Sequence, residues 1–265
     1  MPHATNPVDG LQVYFEDDGG AGAPVVFHGG VLDRVEDVRE SGIARALPPD
    51  EFRSIFVDHR GLGQSEKPRD PSAYVMPRRA ADAVAVLDEL GIERAHFVGM
   101  SWGGRLGFGI GAIAPARVRS LVVGGQQPYA WPNSPLTRIV VEALADSATD
   151  DTEALVRGFE RFWNVTFPAE QRARWVDNDR LAVRAAITTA LSEGAVATDL
   201  ATWQVPCLIF MGASDTDFLD DAKRAAAEIP NAELLVLEEA DHYEAHVTRD
   251  DLLIDAVLRK LRASR

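Results

Sequence analysis

The stretch Gly99-Met100-Ser101-Trp102-Gly103 sets a serine between two glycines, after a strand-like run (Ala95-His96-Phe97-Val98) and before a helix-length segment. In that setting G-x-S-x-G describes a tight strand-to-helix turn that holds a serine hydroxyl exposed on a strained backbone. Positions two before and two after the serine then press against neighbouring backbone and have no room for a Cβ, which Gly99 and Gly103 satisfy. Gly104, Gly107, Gly109 and Gly111 continue into the following segment. Each costs roughly 1 kcal/mol against alanine inside a helix, so a close approach of that helix to a sheet is expected. A serine hydroxyl is a weak nucleophile at neutral pH. The chemistry implied is acyl transfer, which needs a base to take the serine proton and an acid to orient the base.

Chain order selects among the six histidines. His3 is assigned to a disordered tail and His96 to packing or capping in the strand before the serine. His28 and His59 belong to other motifs. His242 and His246 remain, in EEADHYEAH. His242 closely follows the apolar run Glu233–Leu237, at the sheet edge that must also carry Ser101, and is the expected base. His246 falls in or near the next helix and is expected at the surface. The acid should follow an earlier strand. Asp215 stands just past the run Cys207–Gly212 and is the expected acid, with Asp217 as the alternative and Asp241 read as a turn residue. Donors for the developing oxyanion are worth roughly 3–4 kcal/mol each where one has been removed. Phe27-His28-Gly29-Gly30 ends another strand, so the Gly30 and Trp102 backbone N–H groups are the expected pair.

The elements that must position these residues are short apolar runs at 11–16, 24–28, 53–58, 95–99, 118–124, 207–212 and 233–237. Most are continuous rather than alternating, as in strands covered on both faces of a parallel sheet. Helix-like segments lie between them, including Pro77–Leu90, Asp220–Ile229 and Asp250–Arg262. The pattern predicts an α/β fold with a mostly parallel sheet. Residues 126–200 interrupt it with no convincing strand. They read as a helical cap insertion between two parts of one core domain, 1–125 and 201–265. The insertion holds Trp131, Trp163 and Trp175. Trp131 and Trp163, together with Met100, are expected to shape a substrate pocket, although these aromatics could equally form the insertion's own core.

With 27 Lys and Arg against 41 Asp and Glu, the formal net charge is −14, which argues against nucleic acid or an anionic membrane as a main partner. The lone Cys207 lies in an apolar run and reads as a buried thiol. MPHATNPVDG lacks the basic and apolar regions of a secretory signal, and no apolar run spans a bilayer, so a cytoplasmic location is expected.

The sequence resembles the α/β-hydrolase fold superfamily over nearly its whole length. Besides His28-Gly29-Gly30 and the serine turn, Asp58-His59-Arg60-Gly61-Leu62-Gly63-Gln64-Ser65 is similar to the D-x-R-G-x-G-x-S loop of that family. Leu90-Gly91-Ile92 and Pro115-Ala116-Arg117-Val118 resemble its recurrent punctuation. The resemblance implies a mostly eight-stranded sheet with helices on both faces, a cap after the sixth strand, the triad Ser101, Asp215 and His242, and no metal or organic cofactor. Departures narrow the reading. The proline of H-G-x-P is missing, and so is the P-G of the proline aminopeptidases' H-G-G-P-G. Ser101 rules out the aspartate chemistry of epoxide hydrolases and haloalkane dehalogenases. The insertion carries many charges, unlike the apolar lid of lipases. The polar run Asp33, Arg34, Glu36, Asp37 is unusual beside such a site.

The expected function is hydrolysis of a small or medium carboxylic ester or lactone, by a monomer or homodimer acting on a small molecule. The alternatives are perhydrolysis, carbon–carbon bond hydrolysis or a lyase step at the same triad, and a hydrolase-fold ligand receptor with slow turnover.

Overall fold

The computed structural model describes residues 2–145, 150–248 and 250–264. Its strands form one eight-stranded sheet: β1 (His3–Thr5), β2 (Gln12–Asp17), β3 (Ala23–His28), β4 (Phe52–Val57), β5 (Ala95–Met100), β6 (Val118–Gly124), β7 (Cys207–Gly212) and β8 (Ala232–Leu237). Their order across the sheet is β1-β2-β4-β3-β5-β6-β7-β8. The two pairings made by β2 are antiparallel and the others parallel.

Side chains alternate between two cores because successive residues of a strand point to opposite faces. In β7, Cys207, Ile209 and Met211 join one core while Leu208 and Phe210 join the other. The first core is covered by α3 (Met76–Glu89), α4 (Trp102–Ile113) and α9 (Leu219–Glu228). The second is covered by α1 (Val35–Arg39), α2 (Gly42–Ala46) and α11 (Asp251–Ala263). Both faces are dry, which is why the central runs are continuously apolar.

Between β6 and β7 the chain leaves the sheet and forms α5 (Pro135–Ala145), α6 (Glu153–Phe162), α7 (Ala169–Val176) and α8 (Arg180–Ser192). Four residues of the expected insertion, 146–149, lie outside the described residues. One further short helix, α10 (His242–Val247), follows β8. Among the described residues no helix is long and apolar enough to cross a membrane.

His3 departs from its expected place in a disordered tail. It lies in β1 opposite Tyr14, and its ring meets the Tyr14 ring edge-on at 5.4 Å. Cys207 is fully buried, and burial pushes its thiol up to about 12, so it is an inert core group.

Candidate active site

β5 ends directly in the turn that carries Ser101. Ser101 has φ 52° and ψ −111°, left-handed backbone that a residue with a Cβ adopts only under constraint. The constraint is visible on both sides. The Ser101 amide donates to the Gly124 carbonyl at 2.8 Å and the Gly103 amide to the Gly29 carbonyl at 2.9 Å. A Cβ on Gly99 would run into the Gly103 carbonyl, and one on Gly103 into the His28 carbonyl. Farther along α4, Gly107 lies against Val123 and Gly109 against Met76, so the helix sits directly on the sheet and on α3.

The loop after β7 and the start of α10 after β8 bring Asp215 and His242 to Ser101. His242 Nε2 lies 3.0 Å from Ser101 Oγ, and His242 Nδ1 lies 2.6 Å from Asp215 Oδ2. Asp215 and His242 are both buried, at 5% and 7% exposure. Since Asp215 accepts from Nδ1–H, Nε2 is left with the lone pair that faces the serine. Asp217, the alternative acid, points elsewhere: it accepts from the Leu136 amide at the start of α5, at 3.3 Å. Asp241 caps α10, accepting from the Glu244 amide at 2.8 Å.

Above Ser101 lies a cavity of about 70 Å³. Its walls are mostly apolar, and it is lined by residues from the sheet ends and from all four inserted helices or the loops beside them. Trp131 and Trp163 both line it. The Trp163 ring stacks on the His242 imidazole, 5.8 Å away and 4° from parallel. Trp131 lies against Trp102 and Phe218, and its indole N–H donates to Thr137 Oγ1 at 2.9 Å.

Met100 departs from its expected place in the pocket. Strand alternation turns it to the opposite face of the sheet, into the core with Val98 and Val122, and it is not among the cavity-lining residues. The structure also adds residues that the sequence reading left out, notably Asp33, Trp175, Phe218, Tyr243 and His246.

His246 is a second departure. Its side chain is 13% exposed rather than on the surface, and its Nε2 lies 2.9 Å from Asp33 Oδ2. It stands four residues after His242 on the same helix, so both rings share one face. The Asp33 carboxylate also accepts the Gly30 N–H at 2.6 Å and the Trp175 indole N–H at 3.1 Å. The Gly30 amide, expected to be an oxyanion donor, is therefore engaged by Asp33. The Trp102 amide is the first of α4 and has no acceptor within its own helix.

Burial alone would raise Asp33, but the His246 charge and the three hydrogen bonds outweigh it and hold the carboxyl below its usual range. Burial works against the His246 charge, and the neighbouring Asp33 carboxylate more than offsets it, raising the imidazole. The two form a charged pair in a mostly apolar wall.

Two devices hold the loop from Gly30 to Asp37 in place. The first is the Asp58 loop, where the carboxylate accepts the Val35 amide at 2.8 Å and the Gln64 amide at 2.7 Å. Within the same motif Arg60 pairs with Asp82 at 2.6 Å, so the D-x-R-G-x-G-x-S residues here are scaffold. The second is α7 and the turn after it. Asn178 donates to the Leu32 carbonyl at 2.9 Å, Arg34 pairs with Asp177 at 2.9 Å, and Arg174 pairs with Asp37 at 2.6 Å. Burial and the nearby Asp33 charge push Asp37 up to about 6 even so.

Asp58 gives a pH prediction. Burial pushes its carboxyl from 3.8 up to about 6. The folded protein thus keeps a proton that the unfolded chain releases, and this group's contribution to stability declines as pH rises from about 4 through about 6. Asp58→Asn lacks that decline. Urea unfolding at pH 4 to 7 should show the variant gaining on the wild type by up to about 3 kcal/mol, on top of a constant cost for a lost backbone hydrogen bond. A gap that stays constant, or moves the other way, would refute the assignment.

Among the described residues no group of three or more His, Cys, Asp or Glu side chains is arranged to hold a metal ion.

The sheet order, the strained serine turn and the helices inserted after β6 are those of one family. The chain belongs to the α/β-hydrolase fold family, whose sequence profile matches residues 23–245. A candidate carbamate hydrolase, RutD of Caulobacter sp. (strain K31), is 30% identical over 201 residues, covering 69% of this chain and 71% of the relative. Epoxide hydrolase 2 of Siraitia grosvenorii is 37% identical over 71 residues, only 27% of this chain and 22% of the relative's length. Among solved structures, the enol-lactonase of Burkholderia xenovorans LB400 superposes with a TM-score of 0.81 at 22% identity, covering 98% of this chain and 100% of the other. At that identity the likeness speaks for the fold.

Proposed function

We propose that the protein is a serine hydrolase that cleaves short carboxylic esters or lactones through an acyl-enzyme, without a cofactor. The observation that carries this reading is the hydrogen-bonded chain Ser101 Oγ, His242 Nε2, His242 Nδ1, Asp215 Oδ2 at the floor of an apolar cavity. In this mechanism His242 takes the hydroxyl proton as Ser101 Oγ attacks the carbonyl carbon. Asp215 keeps the imidazole in the right tautomer and stabilises the imidazolium. The carbonyl oxygen, now negative, takes the Trp102 amide and the Gly30 amide once Asp33 lets go of it. The imidazolium then protonates the leaving alkoxide. Water repeats the sequence on the acyl-enzyme, releasing the acid and restoring Ser101.

The carbonyl carbon, not an epoxide or halide carbon, is the target that suits a serine nucleophile. Hence the epoxide hydrolase relative is a guide to the scaffold and not to the substrate. The small cavity favours short acyl groups, and Trp131, Trp163 and the other inserted residues act as its cap.

A panel of chromogenic esters of graded acyl length tests both points. Activity should peak among short acyl groups and fall steeply for long ones. Trp131→Ala should move the optimum toward longer acyl groups by the equivalent of one or two methylenes, each about 0.8 kcal/mol of burial. Trp163→Ala should also lower kcat, because the indole braces the His242 ring. A lowered melting temperature with an unchanged acyl profile would make these two tryptophans packing residues only.

A further inference from the structure

One polar feature of the cavity enters ester hydrolysis as described only by releasing the Gly30 amide: the Asp33–His246 pair. It shares the cavity with Ser101 and His242, and Asp33 is only 2% exposed. Its Oδ2 occupies the Gly30 N–H at 2.6 Å while accepting from His246 at 2.9 Å, and its Oδ1 accepts from Trp175 at 3.1 Å. The position is tight as well as charged. A Cβ built on Gly30 would lie 3.1 Å from Asp33 Oδ2 and 3.8 Å from Ser101 Cβ, so the carboxylate stands beside the reacting centre.

We propose that Asp33, braced by His246, is a substrate-binding residue that recognises a hydroxyl group on the acyl part of the substrate, one or two carbons from the scissile carbonyl. The inference rests on the serine hydrolase reading above. When the carbonyl oxygen takes the Gly30 amide, Asp33 loses a charge-assisted hydrogen bond inside a buried site. A buried acceptor left without its donor carries the full desolvation penalty. An acyl hydroxyl alongside the carbonyl oxygen returns the donor at the moment the amide leaves. The carboxylate then exchanges one partner for another, while His246 and Trp175 keep their bonds to it. A plain acyl chain offers nothing in exchange and must displace Asp33 at a cost. The same geometry therefore favours hydroxy-acyl substrates and disfavours their unsubstituted counterparts. Sites built to bond a substrate hydroxyl discriminate strongly against analogues that lack it.

The test compares ethyl butyrate with ethyl 2-hydroxybutyrate and ethyl 3-hydroxybutyrate, by pH-stat, on the intact chain and on Asp33→Ala. The intact protein should prefer at least one hydroxy ester by about tenfold or more in kcat/KM. In Asp33→Ala the preference should fall toward one, with ethyl butyrate hydrolysed faster because the Gly30 amide is freed. Asp33→Asn keeps the shape without the charge, so it serves where the alanine variant does not fold, and its preference should fall as well. The inference is overturned if the intact protein shows no preference for either hydroxy ester, or if the preference survives in these variants. Labelling of Ser101 by a fluorophosphonate, together with cleavage of ethyl butyrate, separates the two readings. If both are seen without a hydroxyl preference, only the role of Asp33 falls; if neither is seen, the hydrolase reading falls and this one with it.

Discussion

Replacing Ser101 by alanine is expected to lower kcat on any cleaved ester by at least ~10³-fold while leaving the fold intact, as loss of a triad member does elsewhere. The change removes one oxygen that is only partly buried and that donates to His242. It also relaxes nothing else, because the strained turn is set by Gly99, Gly103 and the amide bonds to Gly124 and Gly29. A fluorophosphonate should label the wild type stoichiometrically at Ser101 and leave the alanine variant unlabelled. Label on another serine, or an alanine variant that still turns over, would remove the mechanism altogether.

The second large effect belongs to the acid. Asp215→Asn is expected to lower kcat by about 10⁴-fold, since an amide can donate to Nδ1 and so favour the tautomer that presents N–H to the serine. Asp217→Asn should leave turnover within a few-fold, because Asp217 serves the amino end of α5 and not the imidazole. His242→Ala should match the serine variant. Steady-state rates of all three, with circular dichroism to verify folding, decide the matter. A severe loss in Asp217→Asn beside an active Asp215→Asn would reverse the assignment of the acid.

The parts of this molecule that were readable in advance share a physical reason. Gly99 and Gly103 are demanded by backbone crowding that any G-x-S-x-G turn of this kind must create, so five residues specify a local geometry. The buried parallel strands leave continuous apolar runs, and the runs at β3 to β8 fall within a residue or two of the observed bounds. β1 was not readable. It has three residues, HAT, at the sheet edge, and its pairing with β2 is decided by tertiary contact rather than by its own composition.

Met100 shows a different limit. Its neighbour Ser101 and its strand position were correctly ordered, yet the face it occupies follows from the parity of β5, where Phe97 joins one core and Val98 the other. That parity places Met100 with Val98. His246, expected at the surface, and Asp33 each left a signal that was not used: a spacing of four on a helix places His246 beside His242, and Asp33 stands three residues after Gly30. Their pairing joins segments more than two hundred residues apart, and no local pattern announces it.

The contacts of α7 have a consequence for how this chain can be recombined. Arg174, Trp175 and Asn178 belong to the insertion by sequence, but their partners Asp33 and Leu32 belong to the loop after β3 and Asp37 to α1. A chimera with crossovers drawn at the end of β6 and the start of β7 would import a foreign α7 and take one partner from each of two buried carboxylates. Residues 30–40 and 174–179 behave as one heritable unit split by more than a hundred residues of chain. A transplant that respects the molecule's joints carries both pieces or neither.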